Sequence, residues 1–362
     1  MTPGGTQADP VHLNPLTIPA AIYGGIITVR NLAYDLRPGL SHRVPAPVIC
    51  IGNLTTGGTG KTPMTACLAQ HLSRQGFHPA IISRGYGRRQ EKETRWLGPG
   101  NPPDSRSPEL YGDEALMLHR QLPQIPIVLD GDRLRAARTA IRNFRTDLIL
   151  MDDGFQHRRL HRDFNLLMID SQRMFGNRRL LPAGPLREPL LTALERADAV
   201  VFNKFDARHP RFLEEAAPVF TRVPARRIFR SRYIVRDFTN PLSQVPLSAE
   251  QLRDITPLVA CAGLGNNDYF FSQLHRLGIN PEKTVPFRDH HAYDQGDLLR
   301  LKRLTKPAGR LLTTAKDAVK LIRLGRKMGE QEFLNRLLVL EIELEIDRPD
   351  AFFRLFQSLV KT

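Results

Sequence analysis

The sequence predicts an α/β protein: a parallel sheet with flanking helices, joined to a smaller second α/β domain. Three observations predict it. Short apolar runs alternate with helical patterns through the first two thirds of the 362 residues, the signature of strands joined by crossover helices. One of those runs feeds directly into a glycine-rich loop and then a helix. Past about residue 225 the pattern resets, and a second strand–glycine–helix unit begins.

The elements follow in order. Ile18 to Val29 is an uncharged stretch of twelve residues, short of the roughly 20 needed to span a bilayer. It lacks the layout of a secretory signal, since no basic residue precedes it and no small-residue cleavage site follows. A helix packed on the protein's own core and a helix lying on a membrane, with Arg30 and Arg37 at headgroup level, both fit. Pro47 to Ile51 reads as a strand. Met64, Cys67, Leu68 and Leu72 then share one helical face, closed by Gly76. Further strands are expected at Ala80–Ile82, Ile125–Leu129, Leu148–Met151, Leu166–Ile169 and Ala199–Phe202, with an amphipathic helix opening after Asp132-Arg133. In the second unit, Leu258–Ala262 leads into Gly263-Leu264-Gly265 and a helix. Leu311–Thr313 leads into a helix at Lys316–Ile322. The expected organisation is an N-terminal helical segment over residues 1–40, a core domain over 41–225 and a smaller domain over 226–362. The last amphipathic stretch, Ala351–Val360, is free to pack on either domain.

Composition narrows the partners. The chain carries 52 Lys+Arg against 37 Asp+Glu, a formal charge of +15, which favours phosphorylated substrates, acidic lipid surfaces or nucleic acid. The arginines are scattered through motifs and helices without a basic tail or an aromatic–basic pattern, which speaks against nucleic acid. Cys50, Cys67 and Cys261 have neither zinc nor redox spacing and read as buried thiols in a reducing compartment.

The loop Thr55-Thr56-Gly57-Gly58-Thr59-Gly60-Lys61-Thr62 sits between strand and helix, where backbone N–H groups can converge on phosphates without a Cβ in the way. Lys61 would reach the β- and γ-phosphates and the Thr62 hydroxyl would ligate Mg²⁺. This is the P-loop NTPase pattern, with a nucleoside triphosphate and Mg²⁺ as the implied ligands. It departs from that pattern at Thr55, where the first glycine is usual, and Gly57-Gly58 is expected to supply the flexibility. Asp152-Asp153 end a buried strand at the edge where open parallel sheets bind ligands, and adjacent carboxylates there can hold Mg²⁺. Asn203-Lys204-Phe205-Asp206 reads like a guanine-recognition sequence, which keeps a GTPase-like switch open as a rival. The glycine after Asp152-Asp153 falls one place early for a GTPase, so Asn203-Lys204 is read as a strand-end loop near the nucleotide base. A basic, non-catalytic nucleic-acid-binding protein is the other rival.

Taken together and in this order, IGNLTTGGTGKTP, SRGYGR, GDEALML, GDR, DDGFQHRRLHRDFNLLMID, LLPAGPLREP, FRDHHAY and TTAKDAVKL resemble the tetraacyldisaccharide 4′-kinase family of bacterial lipid A biosynthesis. The stretches run from residue 51 to 321. The resemblance implies transfer of the ATP γ-phosphate to the 4′-hydroxyl of a tetraacyldisaccharide 1-phosphate, giving lipid IVA. It implies that Asp113 accepts the hydroxyl proton, oriented or tuned by His290, with the two residues brought together from different domains. It makes Arg133 and Arg187 clamps on the phosphoryl group, and Gln156 and Glu188 members of the metal's surroundings beside Asp152 and Asp153. A substrate with four acyl chains stays in the membrane, so the helix at Leu16–Leu36 is expected to lie on the cytoplasmic face of the inner membrane. No nucleic acid and no obligate protein partner are expected.

Overall fold

The computed structural model describes residues 15–85, 88, 93–100, 107–289 and 291–360. Its strands in chain order are β1 (Val48–Gly52), β2 (Pro79–Ser83), β3 (Arg95–Leu97), β4 (Ile127–Leu129), β5 (Leu148–Asp152), β6 (Phe164–Asp170), β7 (Ala199–Asn203), β8 (Ile228–Thr239), β9 (Pro246–Leu247), β10 (Leu258–Ala262), β11 (Lys283–Pro286), β12 (Arg310–Thr314) and β13 (Leu337–Ile346). They form one sheet in the order β11-β10-β12-β13-β8-β7-β6-β1-β5-β2-β4-β3, with β9 paired to β8. From β8 to β4 every neighbour is parallel, and β3 closes the edge antiparallel to β4.

Alternation along the strands sorts the first lobe's core onto two faces. Val48, Cys50, Ile82, Ile149 and Met151 point to one face, covered by Leu134, Ala137 and Ala140 of the helix Arg133–Asn143. Ile49, Ile51, Ile81, Leu148 and Leu150 point to the other, covered by Met64, Leu68 and Leu72 of the helix Lys61–Arg74. Burial on both faces is why these strands read as unbroken apolar runs.

The sheet does not break at residue 225. The first residues of β8, Ile228 to Arg230, pair parallel with Val200 to Phe202 of β7. From Ser231 to Thr239 the same strand pairs antiparallel with β13. A single long strand thus belongs to both lobes. The final helix, Pro349–Val360, then returns to the first lobe: Phe352 packs edge-on to Phe229 at 5.1 Å and Phe356 to Phe164 at 5.0 Å. Both rings are fully buried, each contributing about 1.5–3 kcal/mol by the area removed from water. The second lobe has its own cores on the two faces of β10 and β12, around Cys261 and Leu311 on one side and Ala260 and Leu312 on the other.

The helix Thr17–Leu36 has two unlike faces. Ala20, Gly24, Ile27 and Asn31 are buried against the protein, and Gly24 allows Leu180 to approach so closely that a Cβ would meet its Cδ1 at 2.8 Å. Ile18, Ile22, Ile26, Val29, Leu32 and Leu36 face outward with 52–73% exposure. No helix among the described residues is long and apolar enough to cross a membrane.

Candidate active site

β1 delivers the glycine-rich loop to the carboxyl edge of the sheet. Gly52 is required at its end because a Cβ there would lie 2.4 Å from the Cβ of Phe155, in the turn that follows β5. Thr55, in place of the usual first glycine, is held as a β-bridge to Leu186, and Thr56 N–H donates to Pro185 O at 3.0 Å. Extended backbone of that kind accepts any residue, so no glycine is needed. The left-handed conformations fall on Gly57 and Gly60, with φ of 103° and 89°, where a side chain would be strained. Lys61 and Thr62 then open the helix Lys61–Arg74, whose N-terminal N–H groups favour an anion.

The carboxylates at the end of β5 meet this loop. Thr62 Oγ1 donates to Asp152 Oδ2 at 3.2 Å, and Thr65 Oγ1 to Asp152 Oδ1 at 3.2 Å. Lys61 Nζ lies 3.5 Å from Asp153 Oδ1, and Arg187 donates to the same oxygen at 3.0 Å. Burial, then the charges of Glu114 and Asp153, push the Asp152 carboxyl up to about 7. Asp153 goes the other way: burial would raise it, but Lys61 and Arg187 together hold it below the usual carboxylate value. Crowded carboxylates beside a threonine hydroxyl, with the buried Thr59 Oγ1 unpartnered among the described residues, fit a divalent cation and a phosphate group.

Arg133 opens its helix beneath these groups with 3% exposure. One guanidinium nitrogen donates to Asp130 O and Gly131 O at 3.1 and 3.2 Å, and Nε has no partner among the described residues. Burial, and then Arg84, pull its pKa down to about 10 against the opposing pull of Asp153 and Asp152. Arg133 therefore holds charge at the site without a carboxylate of its own.

Gln156 and Glu188 lie one layer back. Gln156 Nε2 donates to Asn53 O at 2.9 Å and to Glu188 Oε1 at 3.0 Å. Glu188 is fully buried and is also engaged by Asn31 at 3.2 Å and by Arg196. Its oxygens are taken up by Gln156, Asn31 of the N-terminal helix and Arg196. Tyr23 of that helix adds a hydrogen bond to Arg187 O at 2.7 Å, so the helix is tied to the residue that grips Asp153.

Asp113 begins the helix Asp113–Gln121, after Gly112 with φ of 80°. A small cavity of about 10 Å³ between this helix and the end of β5 is lined by Gly112, Glu114 and Asp152 together with the core residues Leu118, Ile127 and Leu129. Lys320, on the second lobe's helix Ala315–Lys327, lies 3.4 Å from Asp113 Oδ2 and donates to His291 O at 2.9 Å. Lys316, one turn earlier, pairs with Asp289 at 3.1 Å. One helix thus grips the loop of the two histidines and reaches across to Asp113. His290 lies outside the described residues. Sequence reasoning missed Lys320, although TTAKDAVKL contains it; nothing local marks a lysine as reaching across lobes.

Asn203 ends β7 and Lys204 follows it, at the same sheet edge as the phosphate loop. Their side chains are engaged by the outside of the phosphate loop, and the Asp206 carboxylate is taken by Arg208 through two contacts of 3.1 Å.

A phosphate loop and a strand-end carboxylate pair that meets its threonine, on a mostly parallel sheet, define a P-loop phosphotransferase. A family model described as tetraacyldisaccharide-1-P 4′-kinase matches residues 13–361. The chain belongs to that family. It is 40% identical to the tetraacyldisaccharide 4′-kinase of Geobacter sulfurreducens over 84% of this chain and 83% of that protein. It is 36% identical to the enzyme of the same name from Syntrophus aciditrophicus over 92% and 90%. Among solved structures it is similar to an "apo" form LpxK from Aquifex aeolicus in complex with ATP, with a TM-score of 0.74, 30% identity and coverage of 95% of this chain and 98% of that one. The chain is accordingly a kinase of lipid A biosynthesis, acting with ATP and Mg²⁺ on a lipid disaccharide; these matches favour that reading over a GTPase switch or a nucleic-acid-binding protein.

Proposed function

We propose that the γ-phosphate of ATP passes to the 4′-hydroxyl of tetraacyldisaccharide 1-phosphate between the Asp152 strand end and Asp113, and that the residues around them divide the work as follows. The loop Thr55–Thr62 holds the triphosphate, with Lys61 on the transferring group. Thr62 and Asp152 hold Mg²⁺, Asp153 stands beside them, and Gln156 and Glu188 support the set from behind. Bound Mg²⁺ offsets charge that builds on the phosphoryl oxygens. Arg133 and Arg187 clamp the transferring group. Asp113 takes the hydroxyl proton with His290 as its partner, a contribution typically worth ~10²–10⁴-fold. The observation that supports this reading is that Asp152, which touches the phosphate-loop Thr62, lies close enough to Glu114, the neighbour of Asp113, to feel its charge and to line one small cavity with it.

The reading also assigns the lobes and the helix. The core of residues 41–225 carries the donor loop, and residues 226–362 bring the histidine loop and Lys320 to it. The helix Thr17–Leu36 lies on the cytoplasmic face of the inner membrane. Its outward aliphatic row supports this, as do the exposed Arg37 beyond its end and the exposed Arg178 and Arg179 beside Leu180, which packs on Gly24. An anionic surface attracts such basic groups by about 1 kcal/mol each. Incubation with Mg-ATP and the tetraacyldisaccharide 1-phosphate in detergent is expected to yield the 4′-phosphate. No product there, with rapid GTP hydrolysis instead, would overturn the reading.

A further inference from the structure

Against the carbonyls of the phosphate loop lies a buried set of polar side chains that the reaction scheme does not use. Asp170 ends β6 and Asn203 ends β7, so their neighbouring strands place them side by side at the same sheet edge. Lys204 follows directly. Asp170 and Lys204 are 3% and 8% exposed, and Asn203 is fully buried. Lys204 Nζ lies 2.6 Å from Asp170 Oδ2 and donates to Gly58 O at 3.1 Å. Asn203 Nδ2 donates to Thr59 O and to Tyr233 Oη, both at 3.0 Å, while Ser231 Oγ donates to Asn203 Oδ1 at 3.0 Å and fixes which way the amide points.

A trans peptide is planar, with C=O and N–H on opposite sides. Drawing the carbonyls of Gly58 and Thr59 toward β7 therefore turns the N–H groups of Thr59 and Gly60 the other way, into the cradle. Gly60 must be glycine for this arrangement, since a Cβ there would meet Asn203 Nδ2 at 2.0 Å and Tyr233 Oη at 2.4 Å. Lys204 itself holds φ of 54°, a conformation uncommon outside glycine and retained here by a side chain with two fixed partners. Tyr269 of the second lobe roofs the lysine, with Nζ 5.5 Å from its ring centre.

We propose that Asp170, Asn203 and Lys204 are positioning residues for the donor nucleotide, a clasp that shapes the phosphate loop from outside by fixing two of its carbonyls. The clasp rests on the reading of Thr55–Thr62 as the triphosphate site. It also accounts for the Asn203-Lys204 stretch without guanine recognition. Its members bond the loop's carbonyls, so their loss is expected to act on the binding and alignment of ATP and to leave the lipid site alone.

The test uses the full chain. Lys204→Met alone would strand the buried Asp170 charge, so the informative variant is Asp170→Asn/Lys204→Met, which removes the charge pair together. It is expected to fold, by circular dichroism, and to show a tenfold or larger rise in KM for ATP and in the ATP dissociation constant by calorimetry. Its KM for the lipid disaccharide is expected to stay within twofold. Lys204→Arg, which can still bridge a carboxylate and a carbonyl, is expected to recover most of the ATP affinity. A folded double variant with ATP affinity and ATP kcat/KM within twofold of the native chain overturns the clasp, and so does a loss shared equally by both substrates. Lys61→Ala is run beside it. If Lys61→Ala keeps native turnover, the site reading falls; if it loses turnover while the double variant is normal, only the clasp falls.

Discussion

The phosphate loop and the Asp113 helix start, the proposed donor and acceptor sides of this kinase, are held in opposite ways. The donor loop is gripped directly by its own lobe, with Tyr233 and Tyr269 only behind the grip: Leu186 and Pro185 bridge Thr55-Thr56, Asn203 and Lys204 fix Gly58 and Thr59, and Asp152 meets Thr62. Asp113 has Lys320 beside it, a group that belongs to the other lobe, and the helix Thr17–Leu36 presents an apolar row that the protein leaves uncovered. A small, constant ligand suits a preformed cradle, because ordering it in advance leaves less entropy to lose on binding. A long-chain lipid held by a bilayer suits a site that is completed on contact.

The largest effect that separates the two sides is expected at Asp113. Asp113→Ala should lower kcat by ~10²–10⁴-fold, while ATP binding by calorimetry stays within twofold. A kcat within threefold of native would remove Asp113 from proton transfer. Next comes the helix face. Ile22→Gln/Ile26→Gln/Val29→Gln leaves the buried stripe of Ala20, Gly24, Ile27 and Asn31 intact, so the fold should hold. Binding to anionic phospholipid vesicles, read by sedimentation, should fall on the order of tenfold to a hundredfold, since each buried methylene contributes about 0.8 kcal/mol at a membrane. Unchanged sedimentation would mean that the lipid is reached by some other surface.

How much of this was legible in the sequence follows the same division. The cradle could be read because it is local: β1, the loop and its helix are consecutive, and the strand runs around it are buried on both faces. The carboxylate pair at Asp152-Asp153 could be read from its place at a strand end. What could not be read depends on pairing at long range. The expected domain border at 225 falls just before β8, whose alternating arginines look like a surface segment until β13 supplies its partner from a hundred residues on. Thr55 looked like a missing glycine because a β-bridge to Leu186 cannot be seen locally. Lys320 and the Asp170–Lys204 pair were invisible for that reason too.

A smaller effect probes the contact between lobes. Lys320→Met removes the cation at Asp113 and the bond to His291 O, and leaves the donor side untouched. Imperfect alignment of this kind should lower kcat roughly five- to tenfold with KM for ATP unchanged, and Lys320→Arg should restore much of it. Parallel changes in ATP affinity would mean that the donor cradle also depends on the second lobe.

The smallest effect tests the rigidity of the donor side by pH. His71, on the phosphate-loop helix, stacks on Phe353 of the final helix with ring centres 3.6 Å apart and planes 6° from parallel. Burial, and then Arg74, hold its pKa below the ordinary 6.5. The folded chain therefore resists a proton that the unfolded chain accepts. The stability from this neutral stack is fully present above about pH 6.5 and declines as pH falls below it. In His71→Phe the stack persists and the titration is gone. Its melting temperature should drop less than the native chain's between pH 7 and pH 5, by about 1–2 °C, with equal ATP affinity at pH 7. If the two melting curves shift in parallel, the histidine is already free to take its proton in the folded state, and the final helix does not clamp the donor helix as the stack implies.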